Sequence, residues 1–197
     1  MKLSSHLIQT AGTVLLGAAV LLGAGTARAE DGTGTCDSQC HKPGTFNVYP
    51  FCQSLFGDHI REAVGAGVGV GYNLCEQTAV TFEGYVGDLD TRINDIHGVG
   101  TTYQFTFNFE YKIRKDARFS PYLTLGAGMF NYDSKDYDPY YIKLNVSGSG
   151  VMGGGGAGVS YEFCKHSFMK LCFRVWGTSV HNADVLYGPT LALAYSF

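Results

Sequence analysis

A chain of 197 residues with 14 Lys and Arg against 17 Asp and Glu has the length of one domain and a mildly acidic balance. It offers no basic surplus, which excludes nucleic acid as an expected partner. Beyond the N-terminus no stretch reaches the roughly 18 apolar residues of a transmembrane helix, yet the chain is rich in Gly, Tyr and Phe, which suits many short strands.

Residues 1–29 read as a cleaved secretory signal peptide. Met1-Lys2 supplies a positive start, an apolar run covers residues 11–24, and Ala27-Arg28-Ala29 is a small-x-small cleavage site. Their removal takes away Lys2 and Arg28 and no acid, so the remaining part holds 12 bases against 17 acids. All six cysteines (Cys36, Cys40, Cys52, Cys75, Cys164 and Cys172) lie in that part. Export implies an oxidising compartment, where disulfides are the default. Residues 30–44 have turn composition and read as an irregular segment. Within them Cys36-Asp-Ser-Gln-Cys40 has one residue too many for a c-type haem motif, so a disulfide is the expectation.

Alternation then predicts strands, because a strand sends successive side chains to opposite faces. The first covers 45–52, weakened by Pro50, which has no N–H to donate. Residues 53–60 read as a loop. Over 62–72, Val64, Ala66, Val68, Val70 and Tyr72 face one way and Gly65, Gly67, Gly69 and Gly71 the other. Four glycines disfavour a helix, whereas a narrow barrel uses the vacated space for bulky neighbours. Over 78–87, Val80, Phe82 and Val86 oppose Thr81, Glu83 and Tyr85. Over 102–111, Tyr103, Phe105, Phe107, Phe109 and Tyr111 share one face, more than a small aqueous core absorbs but natural for a lipid-facing wall. Further strands follow at 121–131, 150–163 and 169–179, and a closing strand ends in Leu191-Ala-Leu-Ala-Tyr-Ser-Phe197. Turns at 73–77, 112–120 and 164–168 alternate with loops at 53–60, 88–97, 132–149 and 180–187. The fold class is therefore all-β: an eight-stranded antiparallel up-and-down transmembrane barrel over 45–197, with short periplasmic turns and longer extracellular loops.

The chain resembles the small eight-stranded outer-membrane barrels: the OmpA-type transmembrane domain, OmpW-like and opacity-type, porin-like proteins. The signal peptide, Pro121-Tyr-Leu-Thr-Leu-Gly-Ala-Gly128 and the C-terminal ending carry that resemblance. It implies location in a Gram-negative outer membrane, in contact with outer-membrane lipid and lipopolysaccharide. Leu191, Leu193, Tyr195 and Phe197 resemble the ending that the barrel-assembly machinery reads. The expected role is structural or surface-interacting, as an adhesin, receptor or porin-like protein with no wide pore, and not enzymatic. An extracellular ligand would meet the outer loops, where Tyr132, Tyr137, Tyr140 and Tyr141 stand with Asp133, Asp136 and Asp138 in the most distinctive loop.

Inward positions contain Glu83, Glu110, Glu162 and Arg174, expected as a mutually neutralising lumen network. If Cys164 faced Cys172 in a disulfide, the same register would set Glu162 against Arg174 and Ser160 against Trp176, all on the inner face. Cys36, Cys40 and Cys75 are the other disulfide candidates. The alternatives are a narrow solute channel and a lipid A acyl-hydrolase. The latter's His-x-Ser-Asn motif is matched only in part by Ser179-Val-His181-Asn, with Ser179 as nucleophile and His181 as base. No cofactor and no metal are expected.

Overall fold

The computed structural model describes residues 40–57, 60–93, 96–114, 118–137, 143–180 and 183–197. They form eight strands: β1 (Phe46–Gly57), β2 (Ile60–Asn73), β3 (Thr78–Ile93), β4 (Ile96–Lys112), β5 (Phe119–Tyr137), β6 (Lys143–Cys164), β7 (Ser167–Thr178) and β8 (Val185–Ser196). Each pairs antiparallel with its sequence neighbour, and β1 pairs with β8, so the sheet is a closed barrel. Closure gives every central strand two partners and leaves no edge within the ring. Both ends of the described chain lie with the β2–β3, β4–β5 and β6–β7 turns, here called the turn end. The opposite rim is the loop end.

The β1–β8 seam sets Asn47 against Ser196 and Phe56 against Tyr187. Its ladder is interrupted around Pro50 and Pro189, neither of which has an N–H. Beyond the last strand residue, Phe197 N–H donates to Phe46 O at 2.9 Å. Leu191, Tyr195 and Phe197 are exposed on the outer wall, and Leu193 is half-buried there.

The outer face is apolar along every strand. Phe107 is 57 % exposed and Leu125 68 %. Against water, each such side chain would forfeit the roughly 1.5–3 kcal/mol gained by burial; against hydrocarbon it loses nothing. The band ends at Asp88 on β3, Asn131 on β5 and Ser149 on β6. At the turn end it is rimmed by exposed Phe46, Tyr72, Tyr111, Phe119, Tyr161 and Tyr195, the aromatic girdle of a membrane interface.

The inner face depends on where side chains are missing. A Cβ on Gly69 would lie 2.3 Å from the Tyr49 ring, and one on Gly67 2.4 Å from the Phe51 ring. These glycines let β1's aromatics lie flat across β2, as the alternating Gly pattern leads one to expect. At the loop end Leu55, Ile60, Leu89, Phe130, Trp176 and Leu186 are buried in one apolar cluster. That cluster caps the lumen.

Several strands outrun the expected limits. Residues 53–57, 88–93, 132–137 and 143–149, read above as loop, are laddered strand. The apolar alternation ends where the membrane band ends, but main-chain pairing continues into water. Tyr132 is accordingly not a loop residue: it is buried and packs beside Phe130, ring centroids 6.1 Å apart. The signal peptide, Cys36, His181, Asp138, Tyr140 and Tyr141 lie outside the described residues, as do the side chains of Asp136 and Tyr137.

The glycine floor makes a prediction. Gly69→Leu displaces the Tyr49 ring and lowers barrel stability by at least the 1–3 kcal/mol typical of overpacking, roughly. Val70→Leu, one residue along on the lipid face, does not. Urea unfolding midpoints of the two variants in detergent check this; equal midpoints would contradict the packing.

Candidate functional site

The lumen holds three stacked charge pairs, each joining inward residues of two non-adjacent strands. The first joins Arg174 of β7 to Glu83 of β3 as a fork. Arg174 Nη1 donates to Glu83 Oε2, and Nη2 donates to Oε1 at 2.8 Å. Tyr49 Oη donates to the same Oε1 at 2.9 Å, and Thr106 Oγ1 to Oε2 at 3.3 Å. Both charged side chains are almost fully buried. A bidentate fork with two further donors is the geometry that offsets the cost of desolvating such a pair. Gly156 sits opposite Arg174 on β6, and a Cβ there would press on its Cγ at 3.0 Å.

The second pair lies nearer the turn end. Lys170 Nζ donates to Glu110 Oε2 at 2.7 Å. The same ammonium lies 4.8 Å from the Tyr49 ring centroid and 5.6 Å from that of Phe168, contacts that favour a desolvated cation. The third pair is at the mouth. Lys112 Nζ stands 3.6 Å from Glu162 Oε1, and His41 Nε2 stands 3.0 Å from the same oxygen. His41 also meets the Phe168 ring edge-on at 4.6 Å. Burial pushes the His41 imidazole down to about 4, the Glu162 carboxylate only partly opposing that. At neutral pH His41 is uncharged. Three carboxylates then face one guanidinium and two ammonium groups, and the described lumen is neutral.

All four expected network residues line this lumen, but their pairing differs from the expectation. Arg174 meets Glu83, not Glu162. In the β6–β7 hairpin Glu162 faces Phe168, Gly156 faces Arg174 and Gly158 faces Cys172. Cys164 faces Ser167 across a two-residue turn, Lys165-His166. The tight turn brings residues 167 and 168 into the ladder, which a Cys164–Cys172 register would leave unpaired. Both registers keep even residues inward, so the facing was legible although the pairing was not. Cys164 and Cys172 are unbridged, and so is Cys75. Cys172 is buried, Cys164 and Cys75 are exposed, and Cys52 faces outward on β1. Cys40 is buried, with Sγ 3.3 Å from Lys165 O.

Lys112, Lys170 and His41 are network members the sequence reading missed. Lys170 shares the even spacing of Arg174 and Trp176, and Lys112 that of Glu110; parity alone would have placed both inside. His41 carries no such signal, because it precedes the first strand. Ser179, the candidate nucleophile, is exposed and bonds the main chain: its Oγ accepts from Val151 N–H at 3.0 Å.

Two measurements test the site. Arg174→Met strands the Glu83 carboxylate and costs roughly 3–5 kcal/mol of barrel stability. Adding Glu83→Gln recovers part of it, whereas adding Glu162→Gln recovers none; urea unfolding in micelles reads all three. In the folded protein a maleimide labels Cys75 and Cys164 within minutes and Cys172 only after unfolding. Cys75 reacts at a lower pH than an ordinary thiol, because the Thr78 hydroxyl at 2.8 Å stabilises its thiolate. Mass spectrometry of the labelled peptides checks the order.

The barrel is similar in fold to three solved structures. Pseudomonas aeruginosa OprG matches at 14 % identity and TM-score 0.55, over 82 % of this chain and 99 % of that one. The N-terminal barrel domain of P. aeruginosa OprF matches at 15 % and 0.52, over 79 % and 98 %. Yersinia pestis Ail, the attachment invasion locus protein, in complex with the heparin analogue sucrose octasulfate, matches at 16 % and 0.50, over 79 % and 99 %. No curated protein matches the chain. The sequence profile of the outer membrane protein beta-barrel domain matches residues 9–197, nearly the whole chain, and the protein belongs to that family.

Proposed function

We propose that this outer-membrane barrel works as a surface-interaction protein, an adhesin or receptor without a wide pore, and that it binds its partner by strand addition at β6. One observation carries the reading. β3, β4, β5 and β6 run past the apolar band, while β7 pairs with β6 only as far as Met152. Among the described residues, 143–150 are therefore laddered to β5 alone. Val151 bonds Ser179 on the far side: its N–H donates to Oγ, and its O accepts from Ser179 N–H at 2.9 Å. Alternate residues share a side, so the main-chain groups of Lys143, Asn145, Ser147 and Ser149 point the same way. Among the described residues they meet no main-chain partner. A row of open N–H and C=O groups is a template for an extended peptide.

The apolar loop-end cap and the paired lumen favour a closed wall over a porin. The outer band would sit in phospholipid and lipopolysaccharide, and the C-terminal Leu191, Leu193, Tyr195 and Phe197 would be what the assembly machinery reads. Residues 1–29 would direct export. The attachment function named for Ail supports the same class of role by likeness of fold.

The test is a substitution on the edge. Ser147→Pro removes one outward N–H without touching the β5 ladder. Wild-type barrel in lipid nanodiscs binds members of a panel of immobilised extracellular-matrix and serum proteins, and Ser147→Pro weakens that binding at least tenfold. No binding by the wild type would overturn the surface role; equal binding by the variant would overturn the edge as its site.

A further inference from the structure

We infer that residues 40–45 are a plug strapped across the turn-end mouth of the lumen, and that acid releases it through His41. The strap is anchored on opposite walls. On one side is Asn73, the last residue of β2. Its Nδ2 donates to Cys40 O at 3.1 Å and to Thr45 Oγ1 at 2.7 Å, its N–H donates to Thr45 O at 3.0 Å, and its O accepts from Gly44 N–H at 2.9 Å. Gly44 holds φ at +84°, a turn that L side chains rarely adopt. On the other side is the β6–β7 turn, four strands away in a ring of eight. There the Cys40 thiol donates toward Cys164 O at 3.6 Å and Lys165 O at 3.3 Å. Cys40 is 0 % exposed and the His41 side chain 11 %. A segment fastened at both sides of an opening, with Cys40 and His41 turned in and Lys42, Pro43 and Gly44 turned out, is part of the wall.

The charges around His41 make the seat sensitive to protons. Glu162 faces it from β6, Lys112 from β4 and Lys170 from β7, with Glu110, Cys75 and Glu76 lining the same cleft. Lys112 is paired with Glu162 and Lys170 with Glu110. The neutral imidazole fits this balance. A proton on it adds a third cation among groups already matched, in a site with little water. The docked imidazole titrates at about 4 and the free one near 6.5. The undocked state therefore takes up the proton first, and docking weakens as pH falls through that window. Linkage makes the loss about tenfold per pH unit, roughly 300-fold in all.

Amide exchange on the refolded chain in detergent micelles tests this by NMR from pH 8 to pH 4, corrected for intrinsic exchange. The reporters are the amides of Gly44 and Asn73, with Phe107 in β4 as the barrel control. Gly44 and Asn73 are expected to be protected at pH 8 and to lose protection by roughly 150-fold at pH 4, while Phe107 stays protected. In His41→Gln the dependence disappears. Should that variant fail to dock, His41→Phe, which keeps a ring against Phe168, carries the same expectation. Free exchange of Gly44 at pH 8 would overturn the plug. Protection in the wild type that is flat down to pH 4, or a decline in His41→Gln equal to the wild type's, would overturn the acid release.

Discussion

A charge inside an eight-stranded barrel has almost no water to solvate it, and that constraint organises the lumen. Each of the three buried carboxylates lies beside a base from another strand: Glu83 with Arg174, Glu110 with Lys170, Glu162 with Lys112. The partners are distant in sequence and sit on non-adjacent strands, which makes each pair a tie between strands as well as a neutralisation. An unpartnered charge there would cost more than the pair returns. Neutrality is therefore a condition on the fold, and His41 fits at the mouth only in its uncharged form.

The pairs need room, and glycine supplies it. Gly69 lets Tyr49 lie flat, which brings the phenol to Glu83 and its ring under Lys170. Gly156 leaves space for the Arg174 stem. Tyr49 thus couples two charge pairs and one glycine row. The barrel closes at both ends by other means. An apolar cluster fills the loop end, and residues 40–45 cover the turn end. Between them lies a packed polar core.

Outside the membrane band the barrel loses its symmetry. β3, β4, β5 and β6 run furthest beyond it, because outward side chains turn polar while the ladder hydrogen bonds carry on. The continuing sheet ends in an edge that the ring itself does not have. Closure removes edges from the membrane, where an unpaired main-chain group costs several kcal/mol, roughly, and water tolerates one above it. The proposed partner site is placed by that difference in solvent.

Period-two alternation by itself determined the strand count, the inward or outward sense of the residues from Glu83 to Arg174, and the membrane class. These follow from local geometry, since parity along a strand survives any error in its length. The same parity would have placed Lys112 and Lys170 inside. Strand ends were not legible past Asp88 or Asn131, where polarity changes although pairing does not. Register across the β6–β7 hairpin was not legible either, because two even registers give the same facing, and only the tight Lys165-His166 turn chooses between them. Which acid meets which base was decided by the tertiary structure alone. Glu83 and Arg174 lie 91 residues apart, and nothing local encodes the distance across a closed ring.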